Sequence, residues 1–239
     1  MTNCVILVRD RYALTEQCLS SLYKNTPADQ FNLVVVNDGS EEIRVKRLLA
    51  AYADINDNCS VLTVANSGHT LSQLKNLGIA WSEQRFGRGD WLHVGDSDVC
   101  FMPGWISRLT AAAETSEMDI RFRLWGGQIH PFHQSIKQIS IDMTESEVLD
   151  GPSWFMRWDT WDKYGPLDRT TAPGVCQSEE YGFCERLRRA NVDSHNRGGR
   201  IGVIHPHVVI HTGLTHLDGS DCVGRKEREA LIPPGVLAL

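Results

Sequence analysis

Two aspartates, Asp96 and Asp98, stand two residues apart directly after the short apolar run 91–94. A run of this kind predicts a buried strand, and open α/β sheets bind their ligands beyond the carboxyl ends of such strands. Carboxylate oxygens are hard ligands that suit Mg²⁺ or Mn²⁺. The same short pattern is also typical of an Asx turn with two solvated aspartates, and by itself it does not decide between the two.

Polar residues of suitable types also follow two earlier apolar runs, at 33–36 and 61–64. An aspartate provides the acceptor that a nucleobase N–H requires, and an asparagine amide offers both a donor and an acceptor. A glycine lets a ligand approach the backbone closely, and a lysine in the next helix is within reach of a ribose or phosphate. Taken singly, each is equally typical of a turn, a cap or a solvated helix face. These residues are Asp38, Asn66, Gly68, Lys75 and Asn76.

The first hundred residues alternate between strand and helix patterns. Apolar runs at 5–8, 33–36, 61–64 and 91–94 are separated by stretches with helical spacing at 14–25, 41–52 and 70–81. This order predicts parallel strands joined by right-handed crossovers, so that the polar loops converge on one edge of a sheet. In the third helix, the residues expected to face inward are Leu71, Leu74, Leu77 and Ile79.

The pattern changes after residue 105. Alternation at 120–125 predicts a half-exposed strand, the stretch 126–142 is mixed, and a new unit begins near residue 150. A helix is predicted over 177–190, with Glu179 and Glu180 at its start and arginines towards its end. That charge order suits the helix dipole, so the acidic pair has a structural explanation as well as a catalytic one. Short apolar runs at 201–204 and 208–210 precede a polar tail.

The composition bounds the class of protein. The chain has 239 residues, 41% of them hydrophobic, and a formal net charge of −6, which disfavours non-specific binding to nucleic acid but leaves a local basic patch open. Seven scattered cysteines without metal-site spacing indicate reduced, buried thiols, as in a cytoplasmic protein. We find neither a signal peptide pattern nor an apolar run of membrane-spanning length, so we expect a soluble protein that does not contact a membrane.

The order of these motifs resembles that of the GT-A glycosyltransferases, family 2 in particular, over roughly residues 3–215. No single motif carries the resemblance; their sequence and spacing do. The matching segments are 36–40, Asn66-x-Gly68 with Asn76-x-Gly78, Asp96-Ser97-Asp98, 151–168, Glu179-Glu180 and 209–213.

The resemblance implies an α/β fold of the GT-A type: a Rossmann-like nucleotide-sugar-binding fold with a mostly parallel central sheet flanked by helices. It implies one domain over 1–239, in which 1–100 bind the nucleotide, 101–216 form the acceptor and catalytic part, and 217–239 are a tail. Asp38 would contact the base, and Asp96 and Ser97 the donor. The metal ligands would be Asp96, Asp98 and His211. Glu180, or alternatively its neighbour Glu179, would be the catalytic base.

The expected activity is a metal-dependent transfer, with Mn²⁺ or Mg²⁺, of a sugar from a nucleotide-sugar, most simply a UDP-sugar. The acceptor would be a hydroxyl group of a soluble molecule: a saccharide, a protein or a modified DNA base. The transfer would invert the configuration at the anomeric carbon. A carboxylate is needed because the acceptor hydroxyl has a high pKa. Two alternatives remain: a nucleotidyltransferase, although the loop 9–12 has no glycine, and a non-catalytic nucleotide-sugar or glycan-binding module.

Overall fold

The computed structural model describes residues 1–65, 68–114, 122–126, 135–140, 143–146, 152–167, 179–189, 200–204 and 208–212. Of the residues and segments named above, Asn66 and the tail 217–239 lie outside these ranges, as do parts of the segments 120–125, 126–142, 151–168, 177–190 and 209–213. For Glu179, Glu180 and His211 only the backbone is described.

The first part of the chain alternates between strands and α-helices, with one short 3₁₀ helix at Ala28–Gln30 before the second strand. Its elements are β1 (Thr2–Val8), α1 (Tyr12–Asn25), β2 (Phe31–Asp38), α2 (Ile43–Ile55), β3 (Cys59–Val64), α3 (Leu71–Phe86) and β4 (Trp91–Asp96). The four strands pair in parallel in the order β3-β2-β1-β4. Helices α1 and α2 cover one face and α3 covers the other. Burial on both faces explains why β1, β2 and β4 appear in the sequence as continuous apolar runs, whereas the edge strand β3 is only partly buried.

The second part extends the same sheet and adds a small one. Its elements are β5 (Val99–Phe101), α4 (Trp105–Glu114), β6 (Phe122–Gly126), β7 (Ser135–Ser140), β8 (Met143–Ser146), β9 (Ser153–Arg157), α5 (Trp158–Tyr164), α6 (Glu179–Arg189), β10 (Arg200–Ile204) and β11 (Val209–His211). Within the described ranges the large sheet continues from β4 as β9-β6-β10-β8-β7, with only β6 and β10 parallel. Strand β11 pairs antiparallel with β5.

The inward face of α3 differs from the predicted one. Leu74 and Ile79 are buried as expected, but Leu71 and Leu77 are 53% and 42% exposed, so for these two the prediction is wrong. The buried face instead includes polar and small residues, namely Ser72, Lys75, Gly78 and Ser82. A Cβ atom at Gly78 would lie 2.5 Å from Val5 Cγ1 and 2.6 Å from Val36 Cγ2. The helix therefore approaches the sheet at a distance that only glycine permits at this position.

The cysteines agree with the prediction as far as they are described. Cys4, Cys18, Cys59, Cys100 and Cys184 are free and buried, and burial raises the pKa of the Cys59 thiol to about 11. In the part of the chain that the structure describes, no helix is both long enough and apolar enough to cross a membrane.

Candidate active site

The carboxyl ends of the parallel strands bring the sequence-predicted aspartates to one edge of the sheet. Asp38 is the last residue of β2 and Asp96 the last of β4, with β1 between them. Leu7 of β1 lies opposite Val36 on one side and Asp96 on the other. Asp98 follows in the short loop between β4 and β5 and is partly buried, and Ser97 between the two aspartates is buried. Residues that are 58 or more positions apart in the sequence thus share one edge.

Each carboxylate of the Asp-Ser-Asp loop has a basic side chain beside it. Arg11 Nη1 lies 3.0 Å from Asp98 Oδ2, and Lys75 Nζ lies 3.6 Å from Asp96 Oδ1. The Asp98 side chain is 13% exposed and that of Lys75 is 1% exposed. Asp98 is therefore not a solvated turn residue, while Asp96, whose side chain is 31% exposed, is paired with a buried lysine.

Lys75 is held between the Asp96 carboxylate and an aromatic ring. Its Nζ lies 5.6 Å from the ring centroid of Trp154, on β9. Trp154 stands opposite Val94 in the ladder between β4 and β9. A lysine as deeply buried as this one requires such partners, because transfer of an unpaired ammonium group from water is strongly unfavourable. The paired interactions explain why a lysine occupies the inward face of α3.

The loop between β1 and α1 carries functional candidates that the sequence did not reveal. Arg9 Nη1 lies 3.3 Å from Asp38 Oδ2, so Arg9 and Arg11 contact two different carboxylates of the edge. Between them, Asp10 has φ 52° and Arg11 has φ 55°, both in the left-handed region. Two adjacent non-glycine residues in this region are strained, and such strain persists only where surrounding contacts hold it.

Those contacts come from the start of α2. Asp10 Oδ1 accepts hydrogen bonds from the backbone N–H groups of Glu41 and Glu42, at 2.8 and 2.9 Å. The backbone N–H of Asp10 donates to Ser40 Oγ at 2.9 Å, and that of Tyr12 donates to Glu42 Oε2 at 3.1 Å. The loop after β1 is therefore hydrogen-bonded to the segment 40–42, which follows Asp38 and leads into α2. The only sequence signal was the cluster of charges at 9–11.

The polar residues after β3 are placed differently from one another. Gly68 is exposed, has φ 73°, and would have open space around an added Cβ. Thr70 then begins α3 with a capping box shared with Gln73. The sequence predicted that Asn76 contacts the donor. In the structure its side-chain amide instead makes two hydrogen bonds to the backbone of Leu167. Nδ2 donates to the Leu167 carbonyl at 2.9 Å, and Oδ1 accepts from the Leu167 N–H at 3.0 Å.

Strand β11 brings the backbone of His211 next to the Asp-Ser-Asp loop. His211 lies opposite Val99 in the ladder with β5. Thr212 donates to the Asp98 carbonyl from both its backbone N–H, at 2.7 Å, and its Oγ1, at 3.0 Å. Among the described side chains no three of His, Cys, Asp or Glu come together as a metal-binding group. The oxygen ligands that are described, on Asp96 and Asp98, have the hard character that a divalent ion such as Mn²⁺ or Mg²⁺ requires.

The helix that begins with the acidic pair is anchored to the sheet by stacked aromatic rings. Phe183 of α6 stacks on Trp154 with 5.3 Å between ring centroids, and on Trp161 with 6.2 Å. Glu179 and Glu180 form the first turn of α6. Helix α6 thus packs on β9, the strand next to β4.

A cleft of about 500 Å³ opens beside this edge, between α2 and β3. Its volume lies in the range of small-molecule sites. The lining residues include Asn37, Gly39, Ser40 and Lys46, with Leu49, Val61 and Val64 as apolar walls. It adjoins the loop that carries Asp38, since Asn37 and Gly39 flank that residue.

Residues 4–128 match the family model of glycosyl transferase family 2. Since this segment is more than half of the 239 residues, the chain belongs to that family. Among curated protein sequences, none matches this chain significantly.

Solved structures with the same fold include glycosyltransferases. TarS from S. aureus (residues 1–349) has a TM-score of 0.59 at 16% identity, covering 87% of this chain and 59% of that one. The structure of GalNAc-T7 with UDP, GalNAc and Mn²⁺ has a TM-score of 0.67 at 15% sequence identity. The match covers 92% of this chain and 45% of GalNAc-T7. The structure of the mannosyltransferase PcManGT from Pyrobaculum calidifontis with GDP-Man and Mn²⁺ has a TM-score of 0.57 at 9% sequence identity. The match covers 84% of this chain and 56% of PcManGT. These similarities confirm the predicted α/β GT-A fold. The chain spans about half the length of these proteins.

Proposed function

We propose that this chain is a metal-dependent glycosyltransferase that moves a sugar from a nucleotide-sugar, a UDP-sugar, to a soluble acceptor hydroxyl with inversion. The observation that carries the proposal is the edge at which Asp38, Asp96 and Asp98 meet, each beside a basic side chain. Family membership supports the class of reaction. The relatives support the donor class, because two of them were solved with UDP or UDP-GlcNAc and one with GDP-Man.

In this proposal the basic side chains receive the anionic donor. Asp38 accepts a hydrogen bond from the base, while Lys75 and Arg11 face the diphosphate with positive charge. Asp96 and Asp98, with His211 from β11, hold Mn²⁺ or Mg²⁺. The ion, when bound, neutralises charge that develops on the departing nucleoside diphosphate. The Mn²⁺ in the structures of GalNAc-T7 and PcManGT supports this assignment.

The acceptor half supplies the base. The first turn of α6 carries Glu179 and Glu180, and we assign to Glu180 the removal of the acceptor proton as the hydroxyl attacks the anomeric carbon. A single displacement needs no covalent intermediate, so the remaining contribution is the alignment of donor and acceptor. We further propose the division into a nucleotide part, 1–100, and an acceptor part, 101–216. Five free, buried cysteines support a cytoplasmic location.

The test is a panel of UDP, UDP-sugars and GDP-mannose, measured by thermal shift with and without Mn²⁺, followed by donor hydrolysis. We expect UDP-sugars to stabilise the protein in the presence of Mn²⁺ and to be hydrolysed slowly. In the Asp98→Asn variant, the additional stabilisation by UDP-sugars that depends on Mn²⁺ should be lost. Binding without hydrolysis would favour the non-catalytic module, and release of pyrophosphate from a nucleoside triphosphate would favour a nucleotidyltransferase.

A further inference from the structure

The turn at residues 164–167 is held from both sides by two helices. Asn76 of α3 makes the two hydrogen bonds to Leu167 described above. From the other side, Arg186 of α6 donates through Nε to the Tyr164 carbonyl at 2.9 Å and through Nη2 to the Pro166 carbonyl at 2.7 Å. Side-chain hydrogen bonds from two separate helices thus converge on four consecutive residues.

The residues at both ends of the turn are buried, so water does not easily replace the two bonds between Asn76 and Leu167, whereas the Arg186–Pro166 bond is exposed. Tyr164 is 4% exposed and Leu167 is 3% exposed. Truncation of Asn76 would leave the N–H and the carbonyl of Leu167 without their side-chain partner. Leaving such groups unsatisfied is more unfavourable than the net gain from forming the bonds.

The two helices joined in this way carry the two halves of the proposed site. Asn76 directly follows Lys75, which contacts Asp96 and the face of Trp154. Helix α6 begins with the acidic pair and is packed through Phe183 on that same Trp154. The aromatic stack limits how far α6 moves from the sheet. The bonds of the turn limit how it slides or rotates along that stack.

We propose that Asn76 and Arg186 are positioning residues that hold α6 in register with α3, and that Asn76 is not a donor ligand. They fix the distance between the acidic pair at the start of α6 and the donor-side group of Lys75 and Asp96. This inference rests on the proposed transfer reaction for its catalytic consequence. Its structural part, the coupling of the two helices, stands independently of that reaction.

The test compares Asn76→Ala with Lys75→Met, a substitution one residue away on the same helix. Hydrogen exchange followed by mass spectrometry should show faster exchange in 164–167 and 179–189 for Asn76→Ala, by about tenfold, with β1 and β4 unchanged. The affinity for UDP with Mn²⁺, measured by calorimetry, should stay within about twofold. The turnover of donor hydrolysis should fall about 10- to 100-fold, because small misplacements of reacting groups have effects of that size.

Lys75→Met should show the opposite pattern, with weaker UDP binding and unchanged exchange in α6. Arg186→Lys keeps a positive charge but not the two-nitrogen geometry, and it should show a smaller version of the Asn76→Ala effects. If Asn76→Ala fails to fold, Arg186→Lys provides the same test of the coupling between the two helices. Unchanged exchange in α6, or a loss of UDP affinity as large as that of Lys75→Met, would overturn the assignment. If the wild-type protein binds no nucleotide, the proposed function fails, while the exchange comparison still tests the coupling.

Discussion

Three acidic side chains at the edge of the sheet are each paired with a basic one: Asp38 with Arg9, Asp98 with Arg11, and Asp96 with Lys75. An uncompensated cluster of carboxylates would repel a diphosphate. The basic partners bring the local charge close to balance before any ligand arrives. In the proposed metal site, a cation would share Asp98 with Arg11, so the guanidinium would influence how tightly that cation is held.

The first prediction concerns Arg11. Arg11→Met should tighten the binding of Mn²⁺ in the absence of nucleotide by about three- to fivefold, since a partly exposed ion pair contributes up to about 1 kcal/mol. The free Mn²⁺ concentration can be followed by electron paramagnetic resonance during a titration. Arg85→Met, at an exposed position near the end of α3, is the matched control and should leave the affinity unchanged. Weaker Mn²⁺ binding in Arg11→Met would show that Arg11 supports the ion instead of competing with it.

The second prediction separates the two members of the acidic pair. Glu180→Gln should lower the rate of transfer about 100- to 10,000-fold, the usual contribution of a general base, while nucleotide affinity is retained. Glu179→Gln should have a much smaller effect if its carboxylate serves mainly the helix dipole. Steady-state kinetics and calorimetry on both variants provide the comparison. A larger rate loss in Glu179→Gln would exchange the two assignments.

At the scale of elements, the strand and helix order could be predicted because the parallel strands, three of them buried on both faces, leave continuous apolar runs. Which face of α3 is buried could not be predicted in the same way. Its buried face includes Lys75 and Ser72, whereas a hydrophobic pattern assigns polar residues to the solvent side. Lys75 is buried because of Asp96 and Trp154, which are far away in the sequence. The strand β7 lies in a stretch that showed only a mixed pattern.

The third prediction tests the close contact between α3 and the sheet. Gly78→Ala should lower the free energy of unfolding by about 1–2 kcal/mol. Over-packing against two valines is unfavourable by roughly 1–3 kcal/mol, which exceeds the gain of about 1 kcal/mol in helix propensity. Leu77→Ala, at an exposed position on the same helix, should change it by no more than about 0.5 kcal/mol. Urea unfolding of both variants decides whether the contact is as tight as the distances indicate.

At the scale of the whole molecule, one buried histidine links folding stability to pH. His93 of β4 is completely buried, with Nε2 3.0 Å from Ser153 Oγ and its ring edge-on to Phe101 and Trp105. Burial lowers the pKa of His93 to about 3. The unfolded chain binds a proton at this residue near pH 6.5, and the folded protein does not until about pH 3. Its contribution to stability is therefore complete above pH 6.5 and is lost as the pH falls towards 3.

The fourth prediction follows from that sign. Between pH 7.5 and 5.5, the wild-type protein should lose about 1.4 kcal/mol of unfolding free energy more than His93→Gln does, because only the wild type gains this proton on unfolding. Glutamine keeps a group able to hydrogen-bond to Ser153. Urea unfolding at both pH values isolates the difference, since all other titrating groups are shared. Parallel losses in the two proteins would mean that His93 is protonated in the folded state.

The candidate site was predictable only in part, for a related reason. Asp38, Asp96 and Asp98 follow strands and could be grouped by the rule for parallel sheets. The roles of Arg9 and Arg11 could not be predicted. Their carboxylate partners are 29 and 87 residues away in the sequence, and the loop that carries both arginines contains two consecutive residues in the left-handed region. Such a backbone conformation leaves no pattern in the sequence when glycine is absent.

The carboxylate of Asp10 ties the start of α2 to the loop that carries both arginines. If Asp38 contacts the nucleobase as proposed, a replacement of the segment after Asp38 that alters base preference would also change how the Arg11 guanidinium meets Asp98. Substitutions intended for base preference and substitutions intended for metal affinity should then fail to add, although the side chains concerned do not touch. Redesign of these two loops in this chain is best treated as a single problem with Asp10 kept in place.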